Sequence, residues 1–156
     1  MTAATKPPVT ALIGLVLALA LGLATPAVSS ASNASLKRTL KTWSNKVAAD
    51  ARGIGLSAIR RHPRRMMLRA NHFRRDALAA RRALGAQHPS SARGARAKGL
   101  ALAAFGDYAV VGRQWSLAGQ ARLHHRNALA TRHAAIAKRY AAKGNRLLVA
   151  AGRLLR

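Results

Sequence analysis

The sequence predicts an all-α protein: an antiparallel bundle of three helices with a long C-terminal helix, or of four helices, after an N-terminal signal peptide. Proline occurs only in the first 26 residues and at Pro63 and Pro89. The rest of the chain is rich in Ala, Leu and Arg, which favour helices. Apolar residues recur there at steps of three and four, and no stretch alternates with the period of a strand.

The N-terminus has the pattern of a secretory signal peptide. Residues 9–24 are apolar apart from Thr10, and small residues follow at once. Three tripeptides that end at Ala27, Ala31 and Ala34 match the pattern that signal peptidase recognises, so we expect cleavage near one of these alanines. The sequence thus predicts a signal peptide over residues 1–31, a basic helical domain over 32–156 and a secreted or extracytoplasmic location in the cell envelope. The alternative is an uncleaved membrane anchor, although a comfortable bilayer span needs about 20 apolar residues.

The first two helices are predicted over residues 35–61 and 64–86. The first has an apolar stripe that includes Leu36, Leu40 and Val47. The second follows His62-Pro63, where proline suits the first turn, and its stripe includes Met66 and Phe73. Gly85 and the pair His88-Pro89 end it.

The third helix is predicted over residues 91–152, after the capping residues Ser90 and Ser91. Its apolar stripe keeps one phase on a period of 3.6 residues, which favours a single unbroken helix. In the C-terminal half the stripe consists of Leu129, Ile136, Tyr140 and Leu147. The alternative is a break near Gly119, which would give a four-helix bundle.

The charge balance is the strongest functional signal. The chain holds 28 Lys and Arg residues against three Asp and no Glu, a formal net charge of +25. So much like charge destabilises a compact state unless the surface meets an anion. Three Asp and no Cys leave few groups for acid-base or covalent catalysis, so the sequence predicts a non-enzymatic protein without a cofactor.

Arginine is concentrated in the second helix and around the middle of the third. Guanidinium groups match phosphate and carboxylate oxygens in pairs, so these arginines are the predicted polyanion-binding residues. The first patch contains Arg60, Arg61, Arg64, Arg65, Arg69, Arg74, Arg75, Arg81 and Arg82. The second patch contains Arg122, Arg126 and Arg132. On a helical wheel Arg74 and Arg81 flank one side of the apolar stripe, Arg65 and Arg69 flank the other, and Arg75 and Arg82 cover the back.

The histidines and carboxylates give no metal site at the sequence level. No two of the six His residues are spaced i, i+4, so no metal is predicted. Asp107 lies in an apolar run and is predicted to be a buried structural acid paired with an Arg of another helix. Asp50 and Asp76 are expected to pair locally with Lys46 and His72. Asp107→Ala is therefore expected to destabilise the fold more than Asp76→Ala.

The sequence as a whole favours an exported helical protein that binds anionic material electrostatically. The expected partners are a wall polymer, an acidic glycan or anionic lipid headgroups. One alternative is a structural or adaptor protein that pairs its apolar stripes with a partner helix. Another, which we do not prefer, is a nucleic-acid-binding protein that is not exported. Its binding would be independent of base sequence, because the chain holds only two Trp, two Tyr and two Phe to stack on bases.

Overall fold

The computed structural model describes residues 31–156, which form four α-helices joined by short turns. They are α1 (Ala31–Ile59), α2 (Pro63–Gly85), α3 (Ala92–Leu123) and α4 (Asn127–Leu154). These residues contain no strand, so the all-α prediction and the helical bundle are confirmed. Within this range no helix combines the length and apolar character needed to cross a membrane. The predicted signal peptide and its alternative, a membrane anchor, lie outside the described residues except for Ala31.

The first two helices agree closely with their predicted bounds. α1 ends at Ile59, and Arg61 then adopts a left-handed backbone with φ of 54°. Proline disfavours helical geometry in the residue before it, so the chain turns at His62. α2 starts on Pro63 itself, because the first N–H groups of a helix have no partner inside that helix.

The preferred prediction of one unbroken helix over residues 91–152 is wrong, and the four-helix alternative is right. α3 ends at Leu123 and α4 begins at Asn127, so the break lies after Gly119 rather than at it. His125 takes a left-handed backbone, with φ of 55°. A straight helix would leave its second half without a packing partner, and most helical stability in proteins comes from packing. The polar run from His124 to Asn127 offers no apolar group to a core, and the turn is made there.

The four helices lie in an antiparallel row. α1 packs on α2, α2 on α3 and α3 on α4, with little contact between α1 and α3. Where two neighbouring helices touch, residue numbers rise along one helix as they fall along the other. Near one end of α1 the hydroxyl of Ser35 donates a hydrogen bond to Gln87, which follows α2, and further along α1 Asp50 contacts His72 of α2.

The interface between α3 and α4 selects small residues. The buried residues of α4 include Ala130, Ala137, Gly144 and Ala151, which recur every seven positions. On α4 the large residues of the predicted stripe are only partly covered, and Leu129 and Tyr140 remain 38% and 37% exposed. The α4 part of the predicted stripe is therefore not the buried face of that helix, because small side chains allow the two backbones to approach more closely than large ones. A methyl group on Gly144 would lie 2.9 Å from Cε1 of Tyr108.

Aromatic rings fill the centre of the row between α2 and α3. Phe105 and Tyr108 of α3 meet edge to face with ring centres 5.7 Å apart, and Tyr108 meets Phe73 of α2 at 6.0 Å. The hydroxyl of Tyr108 donates to Asn145 Oδ1 of α4 at 2.5 Å. This one side chain therefore links three of the four helices.

Candidate polyanion-binding surface

The structure exposes every arginine of the two predicted patches. The exposed residues are Arg60, Arg61, Arg64, Arg65, Arg69, Arg74, Arg75, Arg81, Arg82, Arg122, Arg126 and Arg132. Each guanidinium is thus available to a partner in solution.

The arginines of α2 lie on three sides of that helix, in the arrangement given by the helical wheel. Arg74 faces α3, because a methyl group on Gly112 would lie 2.7 Å from Arg74 Cβ. Arg69 faces α1, because a methyl group on Gly53 would lie 3.3 Å from Arg69 Cδ. The stems of these arginines cover neighbouring helices while their charged ends remain in water.

The open side of α2 carries a row of three arginines, which we call the α2 arginine face: Arg64, Arg75 and Arg82. A rotation of about 100° per residue places them opposite the buried Met66 and Phe73. The row spans eighteen residue steps, or about 27 Å of helix. Leu68 lies on the same side and is 69% exposed. The face is therefore a long cationic strip with one apolar side chain in it.

The fold also brings the start of the first predicted arginine patch beside the second patch, at one end of the bundle. Gly119 of α3 is in contact with the start of α2, since a methyl group there would lie 3.0 Å from the carbonyl oxygen of Pro63. The turn of residues 60–62 and the turn of residues 124–126 therefore lie at the same end, which we call the two-turn end. The sequence signal for this was the antiparallel order itself, because alternate turns of such a bundle share an end.

The two-turn end has a groove beside the turn between α3 and α4. It has a volume of about 260 Å³, and Arg126, His124 and His133 contribute polar groups to its lining. His133 Nδ1 lies 2.8 Å from Gln114 Oε1. Leu117 and Leu129 form the apolar part of the wall. Sequence reasoning did not find this groove, because it depends on the turn after Leu123.

The two-turn end holds the N-termini of α2 and α4 beside the C-termini of α1 and α3, so the partial charges of these helix ends largely offset one another and the arginines supply the net positive charge. Neither of these N-termini has an acidic residue in its first turn. Arg64 and Arg65 instead follow Pro63 directly. A helix N-terminus carries a partial positive charge that prefers an anion, so these arginines repel it and a bound anion would relieve both.

None of the arginines among residues 31–156 forms an ion pair. The three carboxylates are paired by Lys46, His72 and Lys143 instead. A guanidinium without an internal carboxylate has no anion inside the fold to balance its charge and can pair with an external one.

Asp107 is buried as predicted, but its partner is a lysine and not an arginine. The residue is 8% exposed, and Lys143 Nζ of α4 lies 3.2 Å from its Oδ1. Its second oxygen is buried without a hydrogen-bond partner. Burial raises the pKa of the neighbouring Tyr108 well above its ordinary value of 10.0, and the charge of Asp107 raises that pKa further. Lysine serves here because α4 presents Lys143 at this level of the bundle.

Asp50 and Asp76 form a cluster between α1 and α2 rather than two local pairs. Lys46 Nζ lies 3.1 Å from Asp76 Oδ1 on the other helix, not beside Asp50. His72 Nδ1 lies 3.2 Å from Asp50 Oδ2 and 3.6 Å from Asp76 Oδ2, so only the expected local contact of His72 with Asp76 is present. Burial raises the pKa of Asp50, and the proximity of His72 lowers it in part. Asp76 is 7% exposed, so burial gives no reason to rank Asp107→Ala above Asp76→Ala.

The same cluster is the one set of side chains, among residues 31–156, with the separation of metal ligands. Ligand atoms of Asp50, His72 and Asp76 all lie within 4.8 Å of one another. The spacing of the His residues predicted no metal site. The present group takes a carboxylate from a second helix, and no spacing within one helix reveals it.

Comparisons of the chain with known protein families, with curated proteins and with solved structures give no match.

Proposed function

We propose that this chain is an exported, non-enzymatic protein that binds anionic polymers or lipid headgroups of the cell envelope through its arginines. The observation that carries the proposal is the exposure of all twelve predicted arginines, together with the absence of any arginine ion pair within residues 31–156. Those guanidinium groups have no internal anion to satisfy them. The α2 arginine face and the two-turn end meet at Arg64 and provide donors at intervals along about 27 Å of helix for an extended polyanion.

Binding of this kind releases counterions from the polymer. The logarithm of the association constant then falls linearly with the logarithm of the salt concentration, with a slope of about 0.7 to 0.9 per neutralised phosphate. Affinity should therefore drop steeply between low and physiological salt. An affinity that stayed constant over that range would contradict the proposal.

The α2 arginine face can be tested against a variant of equal charge. The triple variant Arg64→Gln, Arg75→Gln, Arg82→Gln removes three charges from the proposed face. The control Arg96→Gln, Arg139→Gln, Arg146→Gln removes three exposed charges from α3 and α4. Binding to polyphosphate, to an acidic glycan and to duplex DNA would be measured from about 50 to 300 mM salt.

We expect the first variant to lose at least about tenfold in affinity for polyphosphate and glycan and to show a shallower salt slope. The control should lose less than about threefold. Equal losses in the two variants would mean that net charge, and not this face, determines binding. Tight binding to DNA alone would favour the nucleic-acid alternative.

Substitution of Leu68 distinguishes lipid headgroups from polymers as the partner. An exposed leucine among arginines suits a basic helix lying at a membrane surface. With vesicles of anionic and neutral lipid, Leu68→Gln should weaken binding if the side chain enters the headgroup region. It should leave polyphosphate binding unchanged. An equal effect on binding to vesicles and to polyphosphate would mean that Leu68 does not enter the headgroup region.

Export is tested by the mass of the native protein in cell fractions. A chain cleaved near Ala27, Ala31 or Ala34 and found outside the cytoplasm would support the proposal. A full-length chain in the membrane fraction would mean an anchored domain. A full-length soluble chain would reject export and leave nucleic acid as the accessible polyanion.

A structural or adaptor role is the second candidate, and one observation favours it. Two large apolar side chains on one side of α4 remain exposed, since Leu129 and Tyr140 are 38% and 37% exposed and lie about 20° apart around the helix. A partner helix could cover them. Sedimentation at increasing protein concentration tests self-association through this face, and Tyr140→Gln should abolish it.

A further inference from the structure

Two of the three carboxylates of this highly cationic chain converge on one histidine at the interface of α1 and α2. Asp50 comes from α1, and His72 and Asp76 come from successive turns of α2. His72 Nδ1 lies 3.2 Å from Asp50 Oδ2 and 3.6 Å from Asp76 Oδ2. The two acids have 10% of their side-chain surface exposed, whereas His72 has 48%. The two carboxylates of the group are therefore buried, whereas its imidazole is half exposed to solvent.

One oxygen of this group is without a hydrogen-bond partner. Asp76 Oδ1 is held by Lys46 Nζ at 3.1 Å, but the buried Asp76 Oδ2 accepts no hydrogen bond. This oxygen points towards His72 Nδ1 and lies near Asp50. A buried carboxylate oxygen that is left unsatisfied costs free energy, and a second carboxylate beside it adds repulsion. A cation among the three side chains would remove both penalties.

The two distances from His72 fit a metal ion, and the ligand oxygens of Asp50 and Asp76 lie within 4.8 Å of each other. Ligand atoms held about 2.0 to 2.1 Å from a tetrahedral Zn²⁺ lie about 3.3 Å from one another. The two separations from His72 Nδ1, 3.2 and 3.6 Å, lie on either side of this value. We propose that Asp50, His72 and Asp76 bind a divalent first-row transition-metal ion between α1 and α2, with Zn²⁺ as the model ion.

The ligand types define the class of metal. An imidazole nitrogen with two carboxylates suits Zn²⁺ and its first-row neighbours, whereas Mg²⁺ and Ca²⁺ prefer oxygen alone. The two carboxylates balance the charge of the ion. His72 would coordinate through Nδ1 and carry its proton on Nε2, on the solvent side. Lys46 would keep its contact with Asp76 Oδ1 and so fix the orientation of that carboxylate.

The location gives the ion a structural effect. α1 packs on α2 and has little contact with the rest of the bundle, so its attachment depends on one interface. An ion shared by Asp50 and Asp76 would join the two helices at that interface. Because the ligands come together only in the folded chain, metal binding would stabilise the fold.

The test uses the full chain after removal of metals with a chelator, in a buffer free of phosphate. Zn²⁺ binding is followed by calorimetry, and the melting temperature is measured with and without Zn²⁺. The variants are His72→Ala and Asp76→Asn. The controls are His88→Ala, an exposed histidine outside the cluster, and the double variant His124→Ala, His125→Ala at the two-turn end.

We expect one Zn²⁺ per chain and a melting temperature raised by about 5 °C at saturation. His72→Ala and Asp76→Asn should each weaken binding at least about tenfold and remove the rise in melting temperature. Both controls should behave like the unaltered protein, and a hundredfold excess of Mg²⁺ should not displace Zn²⁺.

Three results would overturn the proposal. The first is no heat of binding and no change in melting temperature with millimolar Zn²⁺, in which case the group is an ion pair alone. The second is unchanged binding in His72→Ala with loss in the His124→Ala, His125→Ala variant, which would place the ion elsewhere. The third is ready displacement by Mg²⁺. The circular dichroism of His72→Ala distinguishes lost binding from lost folding, because this half-exposed side chain is not part of the core.

Discussion

Gly112 of α3 lies against the backbone of α2, where a methyl group on its α carbon would be 2.8 Å from the carbonyl oxygen of Ala70. The same methyl group would lie 2.9 Å from the backbone nitrogen of Arg74. Neither atom belongs to a flexible side chain, so only movement of a whole helix could relieve the contact. The close approach of α2 and α3 therefore depends on a residue without a side chain.

Gly112→Ala should lower the free energy of unfolding by about 1 to 3 kcal/mol, because the helices must separate to admit the methyl group. The matched control is Gly99→Ala on the same helix, where a methyl group would have no heavy atom within 4 Å. That change should raise stability by up to about 1 kcal/mol, since alanine is the better helix former. Urea denaturation of both variants checks the pair, and a loss of equal size at the two positions would contradict the close approach.

Lys143 should matter more for stability than other exposed lysines of α4. Lys143→Ala leaves the buried carboxylate of Asp107 without its ion-pair partner, a loss of about 1 to 3 kcal/mol. The exposed Lys138 provides the control, and Lys138→Ala should change stability by less than about 0.5 kcal/mol. The double variant Lys143→Ala, Asp107→Asn should recover part of the loss, because the amide carries no charge to desolvate. If the losses in free energy of unfolding from Lys143→Ala and Asp107→Asn simply add in the double variant, the two side chains are not coupled.

Tyr108 should make the protein sensitive to alkali. Burial, with a further contribution from Asp107, raises the pKa of Tyr108 in the folded protein above its ordinary value of 10.0. A group whose folded pKa is raised contributes stability that is complete below the unfolded pKa and is lost as the pH rises through the folded pKa. Stability should therefore decline above about pH 10.

Unfolding in urea between pH 9 and 12 would measure that decline. In Tyr108→Phe it should be smaller, although the variant starts lower because it lacks the hydrogen bond to Asn145. Absorbance titration of Tyr140→Phe would follow Tyr108 alone, since the chain has two tyrosines. Ionisation of Tyr108 near pH 10 in the folded protein would contradict its burial.

His125 should be replaceable by glycine with a gain in stability. Its φ of 55° lies in the left-handed region, which costs a residue with a side chain about 1 to 2 kcal/mol. His125→Gly should raise the free energy of unfolding by about 0.5 to 1 kcal/mol, after allowance for the greater freedom of glycine in the unfolded chain. The neighbouring His124 has φ of −98°, so His124→Gly should only destabilise. Thermal melts of the two variants decide whether the turn lies at His125.

The sequence by itself determined the first two helices, the charge and the exposure of the arginines. Periodicity located α1 and α2 to within a few residues, because proline and glycine at 63, 85 and 89 act locally. The helical wheel placed Arg69 and Arg74 on opposite sides of α2, since helix geometry is fixed by the backbone. The burial of Asp107 followed from the apolar residues around it.

Tertiary structure alone decided the break at His125, the buried face of α4 and the partners of the carboxylates. The apolar stripe kept its phase across the break because a helical period carries no information about where a chain folds back. Ala137 and Gly144 are buried in place of Ile136 and Tyr140 because the distance between two helices, and not hydrophobicity alone, selects the residues at their contact. The convergence of Asp50 with His72 and Asp76 depends on the register of α1 against α2. Register is set by packing over the whole interface, and no local pattern encodes it.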